Sequence, residues 1–293
     1  MADQPPIPAN DYSDAIAVPP KEKGVKRRNL RRWINRLAWV FLILSPLVFV
    51  IAAIGYKIGL FGLGFSFDIL NKKLGPLILV LSLLFGVLSL VLACIVKPRK
   101  GLVVAGLAIL VPVFGLGKLK STEKTVYTKL PFIHDVTTDT QDPPVFGEVV
   151  MTERGQVKGV NTVIYSGKKA PVYNASKEKT GEALVSALQT KAYPEIRTLI
   201  LDDDVTAVFE TAKTTAKAMG WTIKEQYAED GWINATDKTF WYGFEDDISI
   251  RLREANGGGT VVDVRSLSRV GGSDLGANAK RVAAFLERLG AAS

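Results

Sequence analysis

The sequence predicts an α+β soluble domain, an antiparallel sheet packed on helices, following a three-helix transmembrane region. Three observations predict it. The mean hydropathy is +0.17 although 23% of the residues are charged, so the apolar residues must be concentrated somewhere. Long uncharged apolar runs occur only up to Gly117. Beyond Lys177, helical and alternating patterns succeed one another with several strands in a run between helices, which is the order of an α+β domain rather than of a βαβ one.

Residues 1–33 are Pro-rich and charged without apolar periodicity, and read as a disordered basic cytoplasmic tail. The region 34–117 then carries three runs, 37–56, 74–96 and 101–117. A membrane helix needs about 20 apolar residues, so the first two suffice and the third is short, with a re-entrant segment as its alternative. Pro46 and Pro112 fall inside runs where neighbouring helices can re-satisfy the freed carbonyls. The first run lacks a small-residue exit site and follows a long polar segment, so it reads as a retained anchor rather than a signal peptide. Lys21, Lys23, Lys26, Arg27, Arg28, Arg31, Arg32 and Arg36 precede it, and Lys97-Pro98-Arg99-Lys100 joins the second and third runs. Both basic groups belong inside, which places the residues after Gly117 outside. The expected location is a bacterial inner (plasma) membrane with a cytoplasmic N-terminus and a periplasmic or extracytoplasmic C-terminal domain. A net charge of +8 and pI near 9.4 raise nucleic acid as a partner. The position of the basic cluster beside a span, with no interleaved aromatics, favours the lipid bilayer instead.

Residues 118–174 read as an extended linker and loop, punctuated by Pro131, Pro143, Pro144 and Pro171. The domain at 175–293 opens with a helix over Lys177–Lys191, from Ala183, Leu184, Ala187 and Leu188, closed by Pro194. A strand follows at Ile196–Leu201. Asp202, Asp203 and Asp204 then supply a cap and first-turn acids to a helix whose face is Val205, Val208, Phe209, Ala212, Ala216 and Met219, ended by Gly220. Strands are predicted at Trp221–Tyr227, Gly231–Thr236, Thr239–Phe244, Asp247–Arg253 and Thr260–Ser266. Asn256-Gly257-Gly258-Gly259 turns the last two into a hairpin. If Leu252 faces Val262, then Ile250 pairs Val264, Arg251 pairs Asp263 and Ser249 pairs Arg265, which buries an aliphatic face and shows a charged one. A helix over Leu275–Leu289 presents Val282, Phe285, Leu286 and Leu289.

Several spaced motifs carry a resemblance: Pro131-Phe132-Ile133-His134-Asp135-Val136-Thr137-Thr138-Asp139-Thr140, Asp142-Pro143-Pro144-Val145-Phe146, Ala192-Tyr193-Pro194, Gly220-Trp221, Gly243-Phe244-Glu245-Asp246-Asp247, and the run from Asp263 to Gly276. From about Leu130 onward the chain resembles the family known as domain of unknown function 1499. Bacterial members similar to this chain often place the domain after a short membrane region. The resemblance implies a domain boundary and no established activity.

Chemistry is bounded by the presence of one Cys and one His, which excludes internal disulfides, Cys-based metal clusters and multi-histidine metal sites. Arg265 and Arg269 flank Ser266 and Ser268, ahead of Gly271-Gly272-Ser273-Asp274 at a helix start, where backbone N–H groups favour an anion. Asp274, Asn278 and Arg281 form a polar stripe at helical spacing. The same residues also read as a clamp, with Ser273 or Asp274 as a cap and the arginines bonded to Asp246, Asp247 or the Asp135–Asp142 loop. His134 with Asp135, Asp139 and Asp142 matches no metal pattern, so neither metal nor cofactor is expected. Asp246 and Asp247 are adjacent in a strand and point to opposite faces, which argues against a paired-acid hydrolase. Cys94 lies within a span. Among Trp221, Trp232, Trp241, Phe240, Tyr242 and Phe244, the outward-facing members would mark a partner or ligand surface. The expectation is a non-enzymatic domain binding an envelope protein or a small anionic ligand. The alternative is an envelope hydrolase or isomerase-like enzyme using His134, Arg265 and Arg269.

Overall fold

Among the described residues, three helices long and apolar enough to cross a membrane come first. The structure is a computed structural model and describes residues 22–292. Helix α1 (Glu22–Lys57) is followed by a π-helical stretch (Phe65–Leu74) that runs directly into α2 (Gly75–Ile95), and α3 (Leu102–Thr128) completes the set. The irregular tail expected over 1–33 is corrected in part, because residues 22–33 are helical; the remainder lies outside the described residues. Likewise the first turns of the expected linker, 118–128, belong to α3. Extending an existing helix needs no new nucleus, and Lys, Arg, Leu and Glu propagate one readily.

The chain divides into two compact units, one formed by the part up to Val48 with Leu74–Gly115, the other by Phe49–Lys73 with Leu116 onward. In the first, the helices approach on small residues. A Cβ on Gly86 would lie 2.8 Å from the carbonyl of Ala108, Ser82 Oγ donates to that carbonyl at 3.3 Å, and Phe41 stacks on Phe85 at 5.2 Å. This is the small-residue contact that lets membrane helices pack. Ile43, Val103, Leu110 and Phe114 point outward, compatible with contact to lipid.

The second unit holds the α+β domain. Its elements are β1 (Asp135–Thr137), α4 (Glu148–Gly155), β2 (Lys169–Tyr173), β3 (Lys179–Leu184), α5 (Val185–Ala192), β4 (Leu199–Leu201), α6 (Val205–Ala218), β5 (Thr222–Tyr227), β6 (Trp232–Lys238), β7 (Glu245–Glu254), β8 (Thr260–Ser268) and α7 (Ala277–Ala292). The main sheet runs β1-β8-β7-β6-β5, with β4 also on the β8 edge, and every pairing is antiparallel. The β7–β8 register is the one the hairpin arithmetic predicts, Leu252 with Val262, Ile250 with Val264, Arg251 with Asp263 and Ser249 with Arg265. Ile233, Ile248, Ile250, Val262 and Val264 lie fully buried in one core with Val208 and Phe209 of α6 and Val282, Phe285 and Leu289 of α7. Asp204 caps α6 as expected, accepting from the N–H groups of Thr206 and Ala207 at 2.9 and 3.0 Å.

Three predicted elements change. The helix over Lys177–Lys191 is strand β3, paired with β2, followed by the shorter α5. Thr180 and Gly181 are poor helix formers, and strand pairing wins there. The predicted strand at Thr239–Phe244 is a closed turn: Thr239 N–H donates to Phe244 O at 2.8 Å, Gly243 N–H to Thr239 O at 2.9 Å, and Gly243 sits at φ +68°. Helix α7 starts at Ala277 because Leu275 and Gly276 both take left-handed φ, which no helix continues.

Candidate functional site

Side chains of β7 and β8 alternate, so the face opposite α6 and α7 carries Asp247, Ser249, Arg251, Asp263 and Arg265, with Arg269 just past the strand. The expectation that this charged face would be open is corrected. Asp247, Ser249 and Asp263 are fully buried, and Arg265 and Arg269 nearly so. The covering layer is the irregular stretch from Pro143 through α4 to Lys168, fastened by hydrogen bonds and by a small apolar cluster in which Phe146, Val150 and Val163 pack on Leu267 of β8.

Arg265 grips Asp135 bidentately, Nε to Oδ1 at 3.0 Å and Nη2 to Oδ2 at 2.9 Å, and also donates to the carbonyls of Pro144 at 3.3 Å and Val163 at 2.6 Å. Its guanidinium lies over the rings of Phe146 and Tyr165, 5.1 and 5.6 Å from their centroids. Lys168 Nζ donates to the same Asp135 at 3.1 Å. Burial pulls the Lys168 amine below its ordinary value, Asp135 opposing, and burial together with Asp135 pushes the Tyr165 phenol up.

Asp247 is shared by two arginines. Arg269 Nη2 and Arg154 Nη1 each donate to it at 2.7 Å, and Thr236 Oγ1 adds a bond at 2.9 Å. The remaining donors of Arg269 reach Glu245 at 2.6 Å and Glu153 at 2.7 Å. Burial works against the Arg269 charge, but Asp247 and Glu153 override it and hold the proton more firmly than usual. Arg154, also bonded to Asn161 O at 2.7 Å, is lowered by burial.

Asp246 points the other way, as strand alternation requires. Arg281 of α7 donates to it at 2.7 Å and to Asp237 at 2.7 Å, and also to Ser266 Oγ at 3.1 Å. Asn278 Oδ1 accepts from Ser266 at 2.7 Å and from Arg281, while Asn278 Nδ2 donates to His134 O and to Ser268 Oγ, both at 3.0 Å. The stripe at α7 is therefore buried against the sheet. At the helix start the Asp274 carboxylate accepts from Gly276 N–H at 2.8 Å and Asn278 N–H at 3.0 Å, and Ser273 Oγ accepts from Leu275 N–H at 3.3 Å. Burial raises the Asp274 carboxyl to about 6.

Asp139 sits apart, accepting from Gln141 and Asp142 N–H at 2.9 Å each and lying 3.5 Å from Arg251. His134 Nδ1 lies 3.3 Å from Gly272 O, so a proton there makes the bond, whereas its buried Nε2 has no partner in the structure. Burial, reinforced by Lys168, lowers its pKa and keeps the ring neutral. The predicted residues thus divide into three ionic groups with Asp139 and the cap at their margins. Sequence reasoning missed Lys168, Arg154, Glu153, Asp237 and the role of Asp263, which accepts from Thr138 at 3.0 Å, Thr198 at 2.6 Å, Arg251 at 3.1 Å and Arg253 at 2.6 Å. The alternation Asp263, Arg265, Leu267, Arg269 signals a face needing counter-charges; nothing in the irregular stretch marks Arg154 or Lys168 as suppliers.

An antiparallel sheet with helices on one face and an ion-paired loop layer on the other, joined to three long apolar helices, defines an α+β domain attached to a membrane-type helical region. The chain belongs to the family described as "Protein of unknown function (DUF1499)", which matches residues 135–289, more than half of its length. No curated protein matches the chain.

Proposed function

We propose that the chain is a multi-pass protein of the bacterial inner membrane, N-terminus inside, whose extracytoplasmic domain binds an envelope protein without catalysing a reaction. The supporting observation is saturation: Arg265, Arg269 and Arg281 each spend their donors on internal acceptors, which leaves no guanidinium fork for a small acidic ligand. The N–H groups at the α7 start are likewise taken by Asp274 and Ser273. The orientation rests on the basic residues near the start of α1, where Arg28, Arg31, Arg32 and Lys100 line a cavity of about 300 Å³ suited to the anionic inner leaflet.

Native mass spectrometry of the full chain in mild detergent tests the binding reading. A retained protein partner is the expected result. A small-molecule adduct present in the wild type and lost in Arg269→Lys, which keeps the charge without the fork, would overturn it in favour of an anion site. The enzymatic alternative draws on the unpartnered Nε2 of His134. It predicts a turnover that His134→Gln abolishes while leaving the unfolding temperature unchanged. A phosphatase fused after Ser293 is active if the domain is outside and silent if it is inside.

A further inference from the structure

The six-residue turn between β6 and β7 exposes large aromatic surface. Phe240 is 76% and Trp241 59% exposed, the cost of which in water is high for a turn that could have been polar. The turn is nonetheless rigid, closed by the Thr239–Phe244 and Gly243–Thr239 backbone bonds and by Phe244 N–H donating to Thr239 Oγ1 at 2.8 Å. Its other two aromatics face the end of the first apolar helix, within the same compact unit. Tyr56 lies 5.2 Å from Phe244, Phe67 lies 5.0 Å from Tyr242, and Asn71 Nδ2 donates to the Tyr242 hydroxyl. Lys57, the last residue of α1, donates to Phe240 O at 2.8 Å and sits 5.1 Å over the Phe240 ring. Gly243 admits this approach: a Cβ there would lie 3.1 Å from the Lys57 side chain.

Tyr56 and Lys57 are where the apolar stretch of α1 ends, so the turn is held at the level of a bilayer surface. Aromatic rings with an apolar body beside a Lys are what that interface selects. We propose that Phe240 and Trp241 insert into the lipid headgroup and upper acyl region beside α1, making the β6–β7 turn a second membrane contact that fixes the domain against the bilayer. The occupant of the exposed aromatic face is lipid rather than protein because the surface continues the lipid-facing end of the helix it packs on. The proposal rests on the membrane-spanning reading of α1.

The test uses the full chain carrying Cys94→Ser, reconstituted in phosphatidylethanolamine and phosphatidylglycerol vesicles, with a nitroxide label introduced by Trp241→Cys. Phe240→Cys replaces it should that variant not fold. Two reference labels accompany it: Ile43→Cys on an outward position of α1, and Asn256→Cys in the β7–β8 turn. The latter lies at the far end of the 10-residue β7, about 30 Å away. The ratio of oxygen to nickel-chelate accessibility at position 241 should exceed that at position 256 several-fold and approach that at 43. A ratio at 241 equal to that at 256, with 43 lipid-exposed, overturns the inserted turn. A nickel-accessible label at 43 would overturn the membrane-spanning reading beneath it.

Discussion

Replacing Arg265 by Met removes a buried cation while keeping most of the side-chain stem. Asp135 is fully buried, so its carboxylate then depends on Lys168 alone, 3.1 Å away and itself weakened as a cation by burial. Breaking one partner of a buried pair costs about 3–5 kcal/mol, and Lys168 sets the result toward the lower end. Against a domain stability of about 5–15 kcal/mol this is a large fraction. At about 2–4 °C per kcal/mol for a domain of this size, the unfolding temperature falls by roughly 10 °C. The assay is thermal unfolding of the full chain in detergent, followed by tryptophan fluorescence.

Adding Asp135→Leu removes the stranded carboxylate as well. What remains unpaired are the carbonyls of Pro144 and Val163, at about 1–3 kcal/mol each if buried dry and less where water reaches them. Lys168 loses its acid partner but still donates to the carbonyl of Thr162 at 3.2 Å. The double variant should therefore be more stable than Arg265→Met alone. A single variant within about 3 °C of wild type would mean that the pair carries little of the covering layer's stability. A double variant less stable than the single would mean the stranded charge is not what Arg265 relieves.

Gln189 ties α5 to β1, accepting from Thr137 N–H at 3.0 Å and donating to Thr137 O at 2.6 Å, so Gln189→Leu should cost about 2 kcal/mol, read as a lower midpoint in urea. Phe285 is fully buried and stacks on Trp221 at 5.2 Å; Phe285→Ala should cost about 3–5 kcal/mol and shift the tryptophan emission, and an unchanged spectrum would contradict the packing. Asp274 titrates near 6 in the folded chain, above the unfolded value of about 3.9, so the folded state takes up the proton first and stability contributed by this group rises as pH falls from 7 toward 4. Relative to Asp274→Asn, wild type should therefore gain up to roughly 2 kcal/mol between pH 7 and 4.5, and a gap independent of pH would refute the burial of that carboxyl.

What could be read from the sequence was what two-residue and 3.6-residue periods encode. The β7–β8 register follows from alternation plus the Gly-rich turn, and α6 from its apolar stripe and Asp204 cap. The turn at Thr239–Phe244 was hidden because aromatic residues favour strands, while the decisive feature is the left-handed backbone at Gly243. The burial of the ionic face was hidden for a different reason. Its cover has no period, and Arg154 and Lys168 become counter-charge partners only through contacts that span 93 and 33 residues of chain.

The character of that cover explains why the face is ionic at all. An irregular segment laid over a sheet brings backbone carbonyls that no ladder satisfies, and each would be costly if buried alone. Guanidinium groups answer two needs together: Arg265 bonds a carboxylate and the carbonyls of Pro144 and Val163, and Arg154 bonds Asp247 and the carbonyl of Asn161. An apolar face could have packed the segment but would have left those carbonyls unpaired. The arginines that read in sequence as a ligand site are the same groups that such a loop layer requires.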